Sequence, residues 1–160
     1  MSKGKKKQNM EPRIENRRAR HDYHITETME CGIVLSGSEV KSIREGRVNL
    51  SEGYVSVDNK GEMWLLNVEI SHYAQAGPLS HLPRNKRKLL AHKRELKKWA
   101  TWDEAKGTTI VPLVMYFTDG RIKVQIGLAE GKKAHDKRQD MRERDVKRDM
   151  QRAMTKKFLK

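Results

Sequence analysis

Four cations lie close together just after Pro83, at Arg84, Lys86, Arg87 and Lys88. Guanidinium and ammonium groups at this density are suited to binding phosphate. The helical spacing of the apolar residues that follow predicts that the cluster stands where a loop enters a helix, and the free N–H groups of a helix N-terminus also attract phosphate. The alternative is an ordinary solvated surface, because runs of charge commonly face water.

Other side chains could contact unpaired bases. Tyr23, His24, Tyr73 and His92 offer rings on which bases can stack. Glu30 stands in a predicted strand, and a carboxylate can accept hydrogen bonds from base amino groups. The alternative for Glu30 is an ordinary ion pair with neighbouring Lys or Arg side chains of the protein.

The segment from Gly127 to Lys133 is similar to a phosphate-binding loop but departs from its pattern. Three residues separate Gly127 from Gly131, whereas the loop has four, and Lys133 follows Lys132 where Mg²⁺ binding needs Ser or Thr. We therefore interpret the segment as a flexible strand exit carrying two lysines that attract phosphate.

Groups that could form a catalytic centre are scattered along the sequence. None of the six histidines pairs with another histidine or with a cysteine at the spacing of a metal site. The serines fall in predicted turns, without a Gly-x-Ser-x-Gly element. We expect no enzymatic activity, no metal, no cofactor and no small-molecule substrate.

The net charge of +14 is concentrated at the two ends of the chain. Residues 1–20 hold eight basic residues (Lys or Arg) and two acidic residues (Asp or Glu), and residues 131–160 hold twelve basic and five acidic residues. The residues between these two segments hold fifteen basic and fourteen acidic residues. Two basic arms around a nearly neutral core favour multi-point binding to a polyanion. A membrane surface is the rival partner, but the ends lack Trp and a lipidation motif, so we expect no membrane partner.

The compartment is predicted from what the sequence lacks. The single Cys31 lies in an alternating apolar run and is interpreted as a small buried side chain. There is no apolar stretch of about eighteen residues, and no apolar signal segment follows the basic start. We expect a cytoplasmic protein.

Short strands separated by tight turns dominate the middle of the chain. Apolar alternation predicts strands at 23–35, 48–57, 63–70, 108–117 and 122–128, with Pro112 at an edge or bulge and a hairpin turn at 118–121. Helical spacing predicts a short helix capped by Ser38 and ending before Gly46, and a second that begins at Lys86 and ends before Gly107.

These elements predict a mainly β fold. We expect a small antiparallel β-barrel of the oligonucleotide-binding (OB) type with two or three helices, formed by residues 21–130. A basic N-terminal arm, 1–20, precedes it. A basic tail, 131–160, follows it and is disordered or helical.

The tail has helical periodicity but little to bury. Val146, Met150, Met154 and Phe158 recur every four residues. A segment this poor in apolar residues does not offset the entropy of ordering itself, so we expect it to be frayed alone and to become helical on a polyanion.

Several longer motifs together resemble one family. They are Asn16 to Arg20, Glu30 to Ile33, Gly37 to Arg44, Arg84 with Arg87 to Leu90 and Glu95-Leu96, Val124 to Ala129, and Gly131 to Arg138. The chain resembles the small protein B family, the SsrA-binding or tmRNA-binding proteins of bacteria, over about residues 14–155.

The resemblance implies an OB-type barrel that binds the tRNA-like domain of tmRNA and delivers it to stalled ribosomes. It implies a tail that lies in the decoding centre and the empty mRNA channel and forms a helix there. It also implies an indirect link to elongation factor Tu, through alanylated tmRNA. The alternative from composition alone is a generic RNA-binding or ribosomal-protein-like barrel.

By position, the resemblance places Glu30, Leu90 and His92 at the tmRNA contact. The chain also departs from the family pattern. Glu130 stands where the family usually has a basic residue, His92 replaces a more common Asn, and Cys31 replaces a smaller residue. The full set of residues from which we expect RNA binding is Arg17, Arg18, Tyr23, Glu30, Lys41, Arg44, Arg84, Lys86, Arg87, Lys88, Leu90 and His92. The expected ribosome-binding residues of the tail are Gly131, Lys132, Lys133, His135, Asp136, Lys137, Arg138, Met150, Met154 and Phe158.

Overall fold

The computed structural model describes residues 11–158 as a mainly β structure with several helices; residues 1–10 and 159–160 lie outside the described part. The strands are β1 (Ile14–Glu15), β2 (Tyr23–Ile33), β3 (Val48–Asn49), β4 (Tyr54–Val57), β5 (Met63–Leu66), β6 (Glu69–Ile70), β7 (Arg87–Leu90), β8 (Thr108–Thr118) and β9 (Arg121–Gly131). The helices are α1 (Arg17–Asp22), α2 (Gly37–Arg44), α3 (Lys93–Asp103) and α4 (Ala134–Phe158), and a short 3-10 segment spans Ala74–Leu79.

The strands form a large antiparallel sheet. Its order is β1-β8-β4-β5-β7-β2-β9, and β9 also pairs with β8, while β3 and β6 form a separate pair. The longest pairings join β9 to β2 on one side and to β8 on the other. Pairing therefore runs from β8 through β4, β5, β7, β2 and β9 and returns to β8.

The β8–β9 hairpin has both local features that its sequence predicts. Asp119 and Gly120 have φ values of 50° and 74°, as a two-residue turn between twisted strands requires. The register shifts between Pro112 and Val114, which confirms a bulge at the proline. Proline carries no N–H for the ladder, so a bulge is where it can be accommodated.

The main core lies on the inner face of the sheet, and helices α2 and α3 pack against it. Ile43 of α2 and Trp99 of α3 are buried with inward side chains such as Met63, Leu65 and Ile126. A smaller cluster on the other side of β8 packs Val111, Leu113 and Val114 against Ala19 and Ala129. Strand β8 is covered on both faces, which explains its nearly continuous apolar sequence.

The predicted helix from Lys86 is wrong at its start. Residues Arg87–Leu90 form β7, which pairs with β5 and β2, and α3 begins only at Lys93. In β7, Leu89 is buried and Leu90 is exposed, as strand alternation requires. Four residues are too few for that alternation to stand out against the helical spacing that follows.

The cap of α2 is Ser36 instead of the predicted Ser38. The Ser36 hydroxyl accepts from the Glu39 N–H at 3.5 Å, and the Glu39 carboxylate accepts from the Ser36 N–H at 2.8 Å. This reciprocal pair is a capping box. Gly46, with φ of 73°, follows the helix end as predicted.

Part of the segment that composition assigns to the basic arm belongs to the folded structure. Ile14 and Glu15 pair with β8, and Asn16 is buried. The Asn16 side chain donates to the carbonyl oxygens of Leu50 and Pro112 at 3.1 and 2.9 Å, and its oxygen caps α1. The surrounding charges hide this short apolar and capping signal from a composition argument.

The tail is a helix in the chain by itself. Helix α4 has no buried residue, and every position described from Met141 onward is exposed, so most of the helix forms without packing on the core. This differs from the expectation that helix formation requires a polyanion. Within residues 11–158, no helix combines the length and apolar composition that crossing a membrane requires.

Candidate nucleic-acid interface

Glu30 stands on the outer face of the sheet, in a row of side chains that crosses β2, β9 and β8. Across these strands Glu30 is opposite Gln125, and Tyr116 is opposite Lys123. The Tyr116 hydroxyl donates to the Glu30 carboxylate. Burial, together with the hydrogen bond to Glu30, raises the pKa of Tyr116 to about 12. The face therefore holds an exposed carboxylate in a defined position.

Leu90 lies on the same face as Glu30. The β2–β7 register pairs Leu90 with Gly32, two residues beyond Glu30, and residues two apart in a strand share a face. The Leu90 side chain is 50% exposed. The structure thus brings a carboxylate and an exposed apolar group together, as the motif resemblance predicts.

Two hollows adjoin Leu90 and carry cations on their rims. One of about 400 Å³ lies between β7 and α3 and is lined by Lys93 and Lys97. The other, of about 320 Å³, lies between α2 and the β8–β9 turn and is lined by Arg121 and Lys123. Apolar floors with basic rims suit RNA, whose unstacked bases are apolar on their faces and whose backbone is anionic.

His92 lies at the start of α3, next to the first of these hollows, which Ala91 and Lys93 line. It is the N-cap residue, its side chain is exposed, and its backbone N–H donates to the Glu95 carboxylate at 3.3 Å. Its ring is therefore available to a ligand while its backbone fixes the helix start.

Arg87 does not face the solvent, so it is not at the surface where its predicted contact with RNA would require it. Its side chain is 2% exposed and its Nε–H donates to the Glu39 carboxylate at 2.7 Å. Its other nitrogens donate to the carbonyl oxygens of Val68 at 2.8 Å and Pro83 at 3.0 Å. The alternation of β7 turns Arg87 inward, and a guanidinium has enough donors to satisfy this buried site.

The other three cations of the cluster remain at the surface but are already engaged. Each contacts an acid, an amide or a ring, so less of its charge is free for phosphate than the sequence suggests. The partners are Asn67 at 3.1 Å and Glu69 at 3.3 Å for Arg84, the Trp64 ring at 4.5 Å for Lys86, and Glu62 at 2.8 Å for Lys88.

The cations of α2 lie over aromatic rings. Lys41 stands 5.4 Å from the ring centre of Tyr73, and Arg44 stands 5.9 Å from that of Phe117. Both cations are exposed. They add positive charge to the side of the protein that carries the second hollow, and Tyr73 is partly covered as a stacking surface.

The two expected RNA-binding cations of helix α1 differ in their surroundings. Arg17 is exposed, whereas Arg18 contacts both Glu52 and, at 3.4 Å, Asp22. Tyr23 is half-buried against the smaller core cluster, so much of its ring is used in packing.

The root of the tail is fastened to α1 and β2 by charged groups. Lys132 is only 7% exposed and donates to the Arg20 carbonyl oxygen at 3.1 Å and to Asp140. Lys137 lies 3.3 Å from Asp22. Asp136 lies 3.6 Å from His24, and Gly131 pairs with Tyr23.

These contacts shift the acidity of two carboxyl groups. The hydrogen bond from His21 is the main cause of a lowered pKa of Asp22, and Lys137 adds to it. The hydrogen bond from Lys132 lowers the pKa of Asp140. The tail root is therefore held by ionised carboxylates at neutral pH.

The tail also presents exposed basic and apolar side chains, within its root and beyond it. Lys133, His135 and Arg138 are exposed. Met150, Met154 and Phe158 are 59%, 64% and 86% exposed, on the predicted four-residue spacing. Within the described residues, no group of three or more His, Cys, Asp or Glu is arranged to hold a metal ion.

Comparison with known proteins decides the family. The SmpB protein family matches residues 13–156. The chain belongs to the SmpB family. It is 50% identical over 149 residues to an SsrA-binding protein of Bifidobacterium adolescentis, covering 93% of this chain and 94% of the relative. It is 55% identical over 141 residues to an SsrA-binding protein of Thermosynechococcus vestitus, and the match covers 88% of this chain and 92% of that relative.

A chain of known structure has a similar fold. It comes from a structure described as tmRNA-SmpB, a journey to the center of the bacterial ribosome. The TM-score is 0.66 at 49% identity, with 77% of this chain and 86% of that chain covered.

Within this SmpB family chain, sequence reasoning missed the neighbours of Glu30. Tyr116, Lys123 and Arg121 come from a hairpin about ninety positions away, and only strand pairing brings them to β2. The alternation of β8 and β9 was available as a signal, since it puts Tyr116 and Lys123 on the outer face. Their proximity to Glu30 depends on the order of strands, which no local pattern contains.

Proposed function

We propose that the protein is a tmRNA-binding adaptor of trans-translation. It binds the tRNA-like domain of tmRNA and delivers it to stalled ribosomes, where its tail enters the empty mRNA channel. The observation that carries the proposal is the outer face on which Glu30 and Leu90 lie together between basic hollows. The names of the SmpB family relatives support the same partner.

The barrel architecture is part of this proposal. A ring of strand pairings from β8 through β4, β5, β7, β2 and β9 back to β8 supports a closed barrel of the OB type. In that arrangement the tmRNA surface lies on the outside of the barrel, and the tail leaves from the end of β9.

The residues expected to bind RNA divide into three groups by position. Glu30, Leu90 and His92 provide the specific contact. Exposed cations around them provide attraction to the RNA backbone. In the third group we place the tail residues Lys133, His135 and Arg138, which are exposed, with the stripe Met150, Met154 and Phe158 farther along.

The implied partners follow from the same function. Elongation factor Tu is an indirect partner, through alanylated tmRNA, and ribosome binding places the protein in the cytoplasm. We propose an adaptor without catalytic activity; the name of the relatives, SsrA-binding protein, supports a binding role.

Competition binding tests the first step. Labelled tRNA-like domain is bound at physiological salt, and unlabelled tRNA-like domain or an unrelated hairpin of equal length competes. We expect at least about tenfold preference for the tRNA-like domain over the hairpin, since specific RNA contacts add to the backbone attraction. Equal competition, with affinity that falls steeply with salt, would instead establish a generic RNA-binding barrel.

Tail truncation tests the second step. Removing residues 142–160 keeps Lys132 and Asp140, which hold the tail root. We expect unchanged affinity for the tRNA-like domain and loss of peptide tagging on ribosomes stalled without a stop codon. Tagging at the full-length level would contradict the role assigned to the tail.

A further inference from the structure

Tyr116 reaches across a whole strand to contact Glu30. Tyr116 belongs to β8, Glu30 belongs to β2, and β9 lies between them. Neighbouring strands are about 4.8 Å apart, so the two backbones are separated by about 10 Å. A long side chain with a polar tip can cross that distance, and the phenol O–H of Tyr116 donates to Oε2 of Glu30.

The tyrosine is itself held in place from its other side. The Arg13 guanidinium stands 5.5 Å from the ring centre, and the β1–β8 pairing of Ile14 with Met115 fixes where Arg13 lies. The ring packs against the smaller core cluster. Tyr116 is therefore anchored by packing and by a cation before it meets Glu30.

This hydrogen bond leaves half of the carboxylate for a ligand. Glu30 Oε2 is occupied by the phenol, and Glu30 is exposed. An ionised carboxylate accepts at both oxygens, so Oε1 remains able to accept from a base N–H or a ribose 2′-hydroxyl. A carboxylate repels phosphate, so on a basic surface it contributes selectivity for base or sugar donors.

We propose that Tyr116 is a positioning residue, which holds the Glu30 carboxylate in the one orientation that accepts a hydrogen bond from the bound RNA. This inference rests on the proposed function, because it assigns Glu30 to the contact with the tRNA-like domain. The competing explanation is that the Tyr116–Glu30 bond only braces the sheet.

Four variants separate these explanations. Tyr116→Phe keeps the ring and removes the hydroxyl, Glu30→Gln removes the charge, and the double variant removes both. Tyr54→Phe is the matched control, because Tyr54 is 45% exposed on β4 and its loss should leave binding unchanged. Affinity for the tRNA-like domain is measured at fixed salt, and each melting temperature is recorded.

We expect Tyr116→Phe and Glu30→Gln each to weaken binding about tenfold, as loss of a hydrogen bond to a charged group does. We expect the double variant to bind no more weakly than Glu30→Gln alone, because residues that act as one unit are not additive. The melting temperatures of Tyr116→Phe and Tyr54→Phe should match the wild type within a few degrees.

Glu30→Asp provides a second test that does not depend on the tyrosine variant folding. It keeps the negative charge but is one methylene shorter, so its carboxylate lies farther from the phenol. We expect weakened binding. The ionisation of Tyr116 gives an additional measurement. At pH 10.5 the ¹³Cζ resonance of Tyr116 should stay at its protonated position in the wild type, where the pKa of this tyrosine is raised to about 12. In Glu30→Gln the resonance should move toward the ionised position, because the variant lowers the pKa of Tyr116.

Three results would overturn the inference. The first is wild-type affinity in Tyr116→Phe, and the second is wild-type affinity in Glu30→Asp. The third is a loss of affinity in the double variant that equals the product of the losses in Tyr116→Phe and Glu30→Gln. Each of these can occur while the wild-type chain still prefers the tRNA-like domain. If the wild-type chain shows no such preference, the proposed function fails and this inference fails with it.

Discussion

The Nε–H of Arg87 donates to the Glu39 carboxylate at 2.7 Å, with both side chains buried. The same carboxylate accepts from the Ser36 N–H at the start of α2. One ion pair thus joins the cap of a helix to strand β7. A cation that stands in a basic cluster in the sequence has a structural task in the folded protein.

Replacing Arg87 by Met should destabilise the protein strongly. The substitution leaves Glu39 buried without its cation, and breaking such a pair costs about 3–5 kcal/mol. Urea unfolding measures the loss. Lys86→Met, at an exposed neighbour, is the control and should cost less than about 1 kcal/mol. A stable Arg87→Met variant with weakened RNA binding would show instead that Arg87 contacts RNA.

Gly127 is required for packing, although it stands in a segment similar to a phosphate loop. A Cβ at this position would lie 2.8 Å from Leu113 Cδ1 and 2.9 Å from Ile25 Cγ2. We expect Gly127→Ala to destabilise the fold by about 1–3 kcal/mol, as overpacking of a core does. Gly37→Ala is the matched control, since no atom lies within 4 Å of its added Cβ. Equal melting temperatures for the two variants would refute this packing role.

The tail root should loosen when Lys132 is replaced by Met. Its ammonium group joins the Arg20 carbonyl oxygen to Asp140 and is almost completely covered. We expect amide hydrogen exchange in residues 134–141 to accelerate about tenfold, because local opening becomes easier. Lys133→Met, the exposed neighbour, should leave exchange unchanged. If both variants behave alike, the root is held by helix propensity and not by Lys132.

Acid should release the same contacts. The hydrogen bond from His21 lowers the pKa of Asp22 below the ordinary value of 3.8, and Lys137 of the tail lowers it further. The hydrogen bond from Lys132 lowers the pKa of Asp140, so both carboxyl groups are harder to protonate when the tail is docked. Their contribution is therefore complete above about pH 4 and is lost as the pH falls through the lowered pKa values. Exchange in residues 134–141 measured between pH 6 and pH 3, after correction for the intrinsic rate, should show this loss. In Asp22→Asn and Asp140→Asn together, the pH-dependent part should disappear.

Local patterns were sufficient for the long strands and the hairpin. The alternation along β2 and β9, the Asp119-Gly120 turn and the bulge at Pro112 are set by side-chain periodicity and backbone chemistry within a few residues. At Leu89 and Leu90 the two-residue period of a strand is followed at once by the roughly 3.6-residue period of a helix, and reasoning from periodicity assigned the wrong element there. Four residues of strand followed at once by a helix do not contain enough of either period.

The sequence alone determined the mainly β class, the separation of charge between core and ends, and the family, because composition, periodicity and long motifs are properties of the chain itself. Tertiary structure alone decided which charges are free. Arg87 and Lys132 are read from the sequence as surface cations, yet both are covered, while Tyr116 and Glu30 meet across β9 from distant positions. The reason is that exposure and pairing depend on strand order and register, which are set by burying the whole core at once.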